Sequence, residues 1–195
     1  MRIPGVNATS YDPPGEPVGT AVLVPGSGYP PQAPLLFFAG FVLLQHNWRV
    51  EHHWWDPPDL DPPEAYTPWV YDEVAAALPA EGRCLVVGKS LGTRAAPLAA
   101  ERGLPAIWFT PLLGDPGVVE AIAANPAPQL LVGGTADPYW DDVVAGQLGE
   151  QGCEVVEVPA VDHVLMVPGD AVRGVEAHVE AMRGVDAWLT TLALD

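Results

Sequence analysis

Short apolar runs alternate with helix-length segments along almost the whole chain, and this alternation limits the fold more than any other feature. Thr20 to Val24 (Thr-Ala-Val-Leu-Val) reads as a buried strand. Arg49 to Trp55, Arg83 to Val87, Ala106 to Thr110, Gln129 to Gly133 and Glu154 to Val158 read as further strands. Between them, Pro34 to Trp48, Trp69 to Leu78, Thr93 to Arg102, Val118 to Ala124 and Asp141 to Glu150 predict helices, and Arg173 to Leu194 predicts a closing helix. Strands that are apolar throughout are covered on both faces, which is the mark of a parallel sheet. With helices between the strands, the pattern predicts an α/β fold: a mostly parallel sheet with helices on both faces. A length of 195 residues favours a single domain spanning 1–195, and 49% hydrophobic residues supply a substantial core. The acidic, proline-rich stretch from Asp56 to Pro63, within a longer loop to Pro68, is the one segment expected to be mobile.

Charge and composition narrow the function. Twenty-five acidic residues against 8 basic ones give a net charge of −17. Such a surface has little to neutralise phosphates with, so nucleic acid is excluded as a partner, and anionic membranes are disfavoured. No apolar run approaches the roughly 20 residues that span a bilayer. Met1 to Gly19 lacks the basic start and apolar centre of a signal peptide, so the expected location is cytoplasmic. Cys84 and Cys153 lie in apolar runs, where free buried thiols are the ordinary outcome. No Cys/His cluster has zinc spacing, and His52 and His53, adjacent on a strand, face opposite sides. No metal and no cofactor is expected. Trp54, Trp55 and Trp69 are candidates for core or for a pocket wall.

One segment carries chemistry. Gly88-Lys89-Ser90-Leu91-Gly92 follows the apolar run Cys84-Leu85-Val86-Val87 and precedes a helical segment. A serine between a strand and a helix sits on a strained turn that projects its hydroxyl. Side chains flanking it would clash across the turn, and glycine removes them. The same turn aims the Leu91 N–H towards the space in front of the Ser90 hydroxyl. A serine between glycines also occurs as a plain turn, so the rest of the chain must decide.

In a parallel α/β sheet, chemistry gathers beyond the carboxyl ends of the strands. After Leu130-Leu131-Val132 comes Gly133-Gly134-Thr135-Ala136-Asp137-Pro138; after Val155-Val156-Glu157-Val158 comes Pro159-Ala160-Val161-Asp162-His163. Loops after separate strands thus carry Ser, Asp and His in that order. The alternative for Asp137 is a turn-capping aspartate before Pro138, and Asp141 and Asp162 are competing acids. Lys89 is read as supporting the turn or pairing with an acid.

On these motifs the chain resembles the α/β-hydrolase superfamily over nearly its whole length. Gly88–Gly92 resembles the nucleophile elbow, Gly133–Pro138 the acid loop and Asp162-His163 the histidine loop. The resemblance implies Ser90 as nucleophile, His163 as base and Asp137 as its orienter. Pro25-Gly26-Ser27-Gly28 resembles the loop that adds a second oxyanion N–H, here from Ser27, beside that of Leu91. Pro25 stands where that family often has histidine, and the short leader implies that the usual first hairpin is truncated or absent. Thr110 to Gln129 leaves no room for an inserted cap, so the site should be open, with Tyr29, Pro111 and Leu112 as walls. The implied function is hydrolysis of small esters or thioesters. Acyl transfer, another reaction in a biosynthetic pathway, and non-catalytic binding are the alternatives. Substrate identity and oligomeric state are left open.

Overall fold

The structure, a computed structural model, describes residues 9–192. The strands are β1 (Ser10–Tyr11), β2 (Gly19–Val24), β3 (Trp48–His52), β4 (Cys84–Lys89), β5 (Ala106–Phe109), β6 (Gln129–Gly134) and β7 (Glu154–Val158). The helices are α1 (Pro34–Gln45), α2 (Tyr66–Ala77), α3 (Ala96–Arg102), α4 (Pro116–Ala124), α5 (Asp142–Glu150) and α6 (Ala171–Thr191). The strands form one seven-stranded sheet in the order β1-β3-β2-β4-β5-β6-β7. Every pairing is parallel except β1 with β3, where Ser10 faces Glu51 and Tyr11 faces Val50. This two-residue strand forms the edge of the sheet beside β3.

Strand order explains where the helices lie. The chain leaves β2 for β3 on one side, then returns past β2 to β4 and continues in the opposite direction. Crossovers are right-handed, so a reversal of direction moves the connecting helix to the other face. Helix α1 accordingly packs on one face with α6, against Leu23, Leu85, Val87, Phe109 and Val132. Helices α2 to α5 pack on the other, against Val22, Val24, Val86, Trp108 and Leu131. Successive residues of β4 divide between the two cores, as the two-residue period of a strand requires. All six residues of β4 are buried. Each Val or Leu buried there contributes about 1.5–3 kcal/mol relative to exposure.

Several boundaries differ from the sequence expectation, each for a local reason. Helix α1 stops at Gln45, not Trp48, because Asn47 adopts a left-handed conformation (φ 60°) and Trp48 opens β3. Asparagine is one of the few residues that ends helices this way. Strand β3 ends at His52, so His53 to Trp55 lie beyond it. The loop from Asp56 is shorter than expected. A 3₁₀ turn at Pro63–Ala65 leads directly into α2, with Pro68 in its first turn, where proline's missing N–H costs nothing. Helix α4 starts earlier, at Pro116, capped by Asp115, whose carboxylate accepts from the Gly117 and Val118 N–H groups. The segment expected as one helix from Thr93 begins as a 3₁₀ helix, Ser90–Ala95, before α3. The closing helix runs Ala171–Thr191, and the remainder of its expected span reaches beyond the described residues at Leu194. No described helix is long and apolar enough to cross a membrane.

The reversal of strand order at β2 and β4 opens a crevice at their carboxyl ends, the position where open α/β sheets bind ligands. Ser90 stands there, directly after β4. Between β5 and β6 the described chain holds only α4, so no cap is inserted.

Candidate active site

Ser90 has φ of 51°, a left-handed conformation that a side chain rarely takes. Such a residue persists only where its surroundings enforce it. Two glycines make the turn possible. A Cβ on Gly88 would lie 2.6 Å from the Gly92 carbonyl oxygen and 2.8 Å from the Trp108 ring. A Cβ on Gly92 would lie 2.5 Å from the Val24 carbonyl oxygen, at the end of β2. The elbow is therefore folded on itself and pressed against the neighbouring strand. Thr93 Oγ1 donates to the Ser90 carbonyl at 2.6 Å and closes the 3₁₀ turn. Beneath it, Arg94 is buried, with Nη2 at 2.6 Å from Asp115 Oδ2 and Nη1 donating to Thr67 Oγ1 at 2.7 Å. One guanidinium thus clamps the elbow to the start of α4 and to α2. Nothing in the local sequence pairs Arg94 with Asp115, which lies 21 residues away.

The acid loop is built by the same exclusion of side chains. A Cβ on Gly133 would fall within the Trp140 ring, and one on Gly134 at 2.4 Å from Val161. Trp140 and Val161 close over the end of β6 and fix the loop that follows. The Asp137 side chain is fully buried, with Oδ1 accepting from the Tyr139 N–H at 2.9 Å. Its Oδ2 lies 2.8 Å from His163 Nδ1, and His163 Nε2 lies 2.7 Å from Ser90 Oγ. The structure thus brings Ser90, His163 and Asp137 into one hydrogen-bonded line from three loops. A carboxylate on Nδ1 sets the tautomer in which Nε2 is free to accept the serine proton.

The competing acids are engaged elsewhere. Asp162 Oδ1 accepts from the Val164 and Met166 N–H groups, at 3.0 and 2.9 Å, and shapes the histidine loop. Asp141 caps α5 through the Val143 and Val144 N–H groups. Competing nucleophiles are muted. Burial pushes the Cys153 thiol up to about 11 and raises that of Cys84, leaving both protonated at neutral pH.

Ser27 is exposed in the turn Gly26–Tyr29, whose Gly26 N–H donates to the Tyr29 carbonyl at 3.2 Å. A Cβ on Gly26 would lie 3.4 Å from Ser90 Cβ, so the turn abuts the nucleophile. Leu91 is buried in the 3₁₀ turn directly after Ser90. Trp55 packs on Trp69 at 4.9 Å and donates its indole N–H to the Gly26 carbonyl at 3.4 Å, bracing the turn. The Tyr29 hydroxyl accepts from the Leu35 N–H at 3.0 Å, which anchors it to α1. Pro111 is buried and Leu112 half-buried, and the Leu112 N–H reaches Thr93 Oγ1 at 3.4 Å, one side chain from the elbow. A groove of about 650 Å³ runs between α1 and α6, lined by Phe38, Phe41, Met166, Val179 and Met182 among others. None of Tyr29, Pro111 and Leu112 lines it.

Tyr139, which the sequence did not single out, stands beside the histidine. It is 51% exposed, and its ring lies 4.8 Å from that of His163. The two histidines weighed for metal are separately occupied. His52 packs edge-on against Tyr11, and burial holds its imidazole down to about 4. His53 Nε2 lies 3.2 Å from Glu73 Oε2 without hydrogen-bond alignment. Among the described residues, no three His, Cys, Asp or Glu side chains cluster as metal ligands.

No protein-family model and no curated protein matches the sequence. Solved structures do match. Est1E from Butyrivibrio proteoclasticus, with ferulic acid bound, aligns at a TM-score of 0.71 and 16% identity, over 95% of this chain and 94% of that one. A dienelactone hydrolase from Anabaena variabilis aligns at 0.65 and 18%, over 94% and 90%. An α/β serine hydrolase without lid from Xanthomonas campestris aligns at 0.59 and 18%, over 92% and 87%. At such identities the likeness is one of fold, and it agrees with the sheet order, the helices on both faces and the strand-elbow-helix unit at β4. The chain has the α/β-hydrolase fold, in a compact form that carries no inserted cap among its described residues.

Proposed function

We propose that this protein is a serine hydrolase that cleaves small esters or thioesters through an acyl-enzyme. The observation that carries the reading is the unbroken line from Ser90 Oγ through His163 to Asp137, at 2.7 and 2.8 Å. Ser90 Oγ attacks the carbonyl carbon while His163 Nε2 takes its proton. Asp137 accepts the Nδ1–H bond and stabilises the imidazolium. The Leu91 and Ser27 N–H groups receive the oxyanion, and a donor of this kind contributes about 3–4 kcal/mol to the transition state. The C–O or C–S bond then breaks, the leaving group takes the proton from His163, and Ser90 retains the acyl group. Water then attacks the acyl carbon and gives its proton to His163; the bond from Ser90 Oγ to the acyl carbon breaks, His163 returns the proton to Oγ, and the acid leaves. The strained backbone at Ser90 favours this reading over plain ligand binding, because a binding protein has no need of a serine held at positive φ.

Chain-length preference tests the substrate class. Each methylene of an acyl chain contributes roughly 0.8 kcal/mol only where apolar wall covers it. With no cap over Ser90, the wall is short. Acetyl to butyryl esters of p-nitrophenol are therefore expected to show higher kcat/KM than octanoyl or longer esters, with no interfacial activation. A value that keeps rising beyond octanoyl contradicts the open, short-walled site. A protein that forms a covalent adduct at Ser90 yet turns over no ester fits a specialised acyl-transfer or biosynthetic role instead.

A further inference from the structure

Lys89 is the only lysine in the sequence, and it is 2% exposed. Its placement is costly. Desolvating an ammonium costs several kcal/mol unless ion pairs and hydrogen bonds replace the lost water. Here the compensation comes from the Tyr29 ring face and from the attraction of Asp137 and Asp162. A lysine serving solubility would lie on the surface.

What surrounds it is the rest of the candidate site. Lys89 precedes Ser90 and lies on the face of the sheet shared with Val87 and Phe109, the side covered by α1 and α6. Its Cδ lies 3.2 Å from the position of a Cβ on Gly26, so the side chain runs under the Pro25–Tyr29 turn. Nζ stands 4.8 Å from the Tyr29 ring centroid, a cation–π contact. Asp137 and Asp162, on the acid and histidine loops, both attract the charge. One cation on the elbow thus faces the three other loops that make up the site. The turn is tied to α1 through the Tyr29 hydroxyl at 3.0 Å, but its bonds at the Gly26 end, nearest Ser90, are longer: 3.2 Å to the Tyr29 carbonyl and 3.4 Å from Trp55.

We propose that Lys89 is a positioning residue: its ammonium holds the Pro25–Tyr29 turn against the elbow, so the Ser27 N–H stands ready for the oxyanion only while Lys89 is charged. This rests on the serine hydrolase reading above. The charge is lost within a reachable range. Burial holds the Lys89 ammonium down to about 8, with Asp137 and Asp162 partly opposing the effect. Activity should fall as pH rises through that value. Stability should move the other way. Between about 8 and the ordinary lysine value the unfolded chain binds the extra proton, so this residue's contribution to stability rises with pH. A purely structural lysine has no reason to separate the two.

The test is the pH dependence of kcat and KM for p-nitrophenyl butyrate, with Lys89→Met and Lys89→Arg beside the wild type. Lys89→Met keeps the packing and removes the charge. It should lower kcat at neutral pH by roughly tenfold to a hundredfold with a smaller change in KM, as a misplaced donor does. Its melting temperature should be equal or higher, and its alkaline fall in kcat should vanish. Lys89→Arg should keep activity to higher pH than the wild type. Wild-type kcat and pH profile in Lys89→Met overturn the proposal, as does a joint loss of kcat and stability with the alkaline limb unchanged. Should Lys89→Met not fold, ¹³C-lysine labelling of the wild type gives a single side-chain signal. Its titration midpoint should coincide with the alkaline limb, and a midpoint displaced from that limb overturns the proposal. Covalent labelling of Ser90 separates the two levels: a wild type that labels normally but ignores Lys89 sinks this inference alone, and a wild type that never labels sinks the hydrolase reading with it.

Discussion

His163→Ala is expected to lower kcat/KM by roughly four to six orders of magnitude, about as far as Ser90→Ala. The reason is the shared proton. Without an adjacent base the serine hydroxyl is a weak nucleophile, and without the serine the base has nothing to activate. The double variant should therefore be no slower than either single one. Residual turnover above the uncatalysed rate comes from the oxyanion donors and binding alone. Both side chains are partly exposed, so the folded state should persist in each variant. Steady-state kinetics with circular dichroism checks the result. A His163→Ala protein within tenfold of wild type is incompatible with the proposed base.

Asp137→Asn should cost on the order of a thousandfold to ten-thousandfold in kcat, less than loss of His163. An amide in place of Oδ2 can donate to Nδ1, which favours the wrong tautomer and leaves no charge for the imidazolium. The control is Asp162→Asn. Its Oδ1 accepts backbone N–H bonds from Val164 and Met166, a task an asparagine oxygen also performs, and its charge reaches Lys89 only at longer range. It should stay within about tenfold of wild type, since it leaves the proton path intact. If Asp162→Asn proves the more damaging, the acid has been assigned to the wrong loop.

The parts of this account that were legible in the sequence are those written locally. Apolar runs give strands, and the glycines around Ser90 give a turn that tolerates no side chain. The order Ser90, Asp137, His163 follows from what stands after each strand. Less legible were features set by contacts between distant segments. Arg94 reaches Asp115 and Thr67 from positions that no periodicity connects. Tyr139 meets His163 across two separate loops, the acid loop being packed down by Trp140 on Gly133 and Val161 on Gly134. Lys89 offered two readings, support for the turn or a partner for an acid. The fold puts it under an aromatic ring, with both acids felt at longer range. Boundaries slipped where a single residue overrode a trend, as Asn47 does when it ends an apolar run that continues to Trp48.

The central claim is that Ser90 is an activated nucleophile, and covalent capture tests it most directly. The chain contains three serines, Ser10, Ser27 and Ser90, so the outcome is unambiguous. Incubation with a fluorophosphonate, followed by peptide mass spectrometry, is expected to find one adduct per chain, on Ser90. The adduct should disappear in Ser90→Ala while that variant's circular dichroism matches the wild type. An adduct on Ser10 or Ser27, one that persists in Ser90→Ala, or no adduct at all in the folded wild-type protein would contradict the claim.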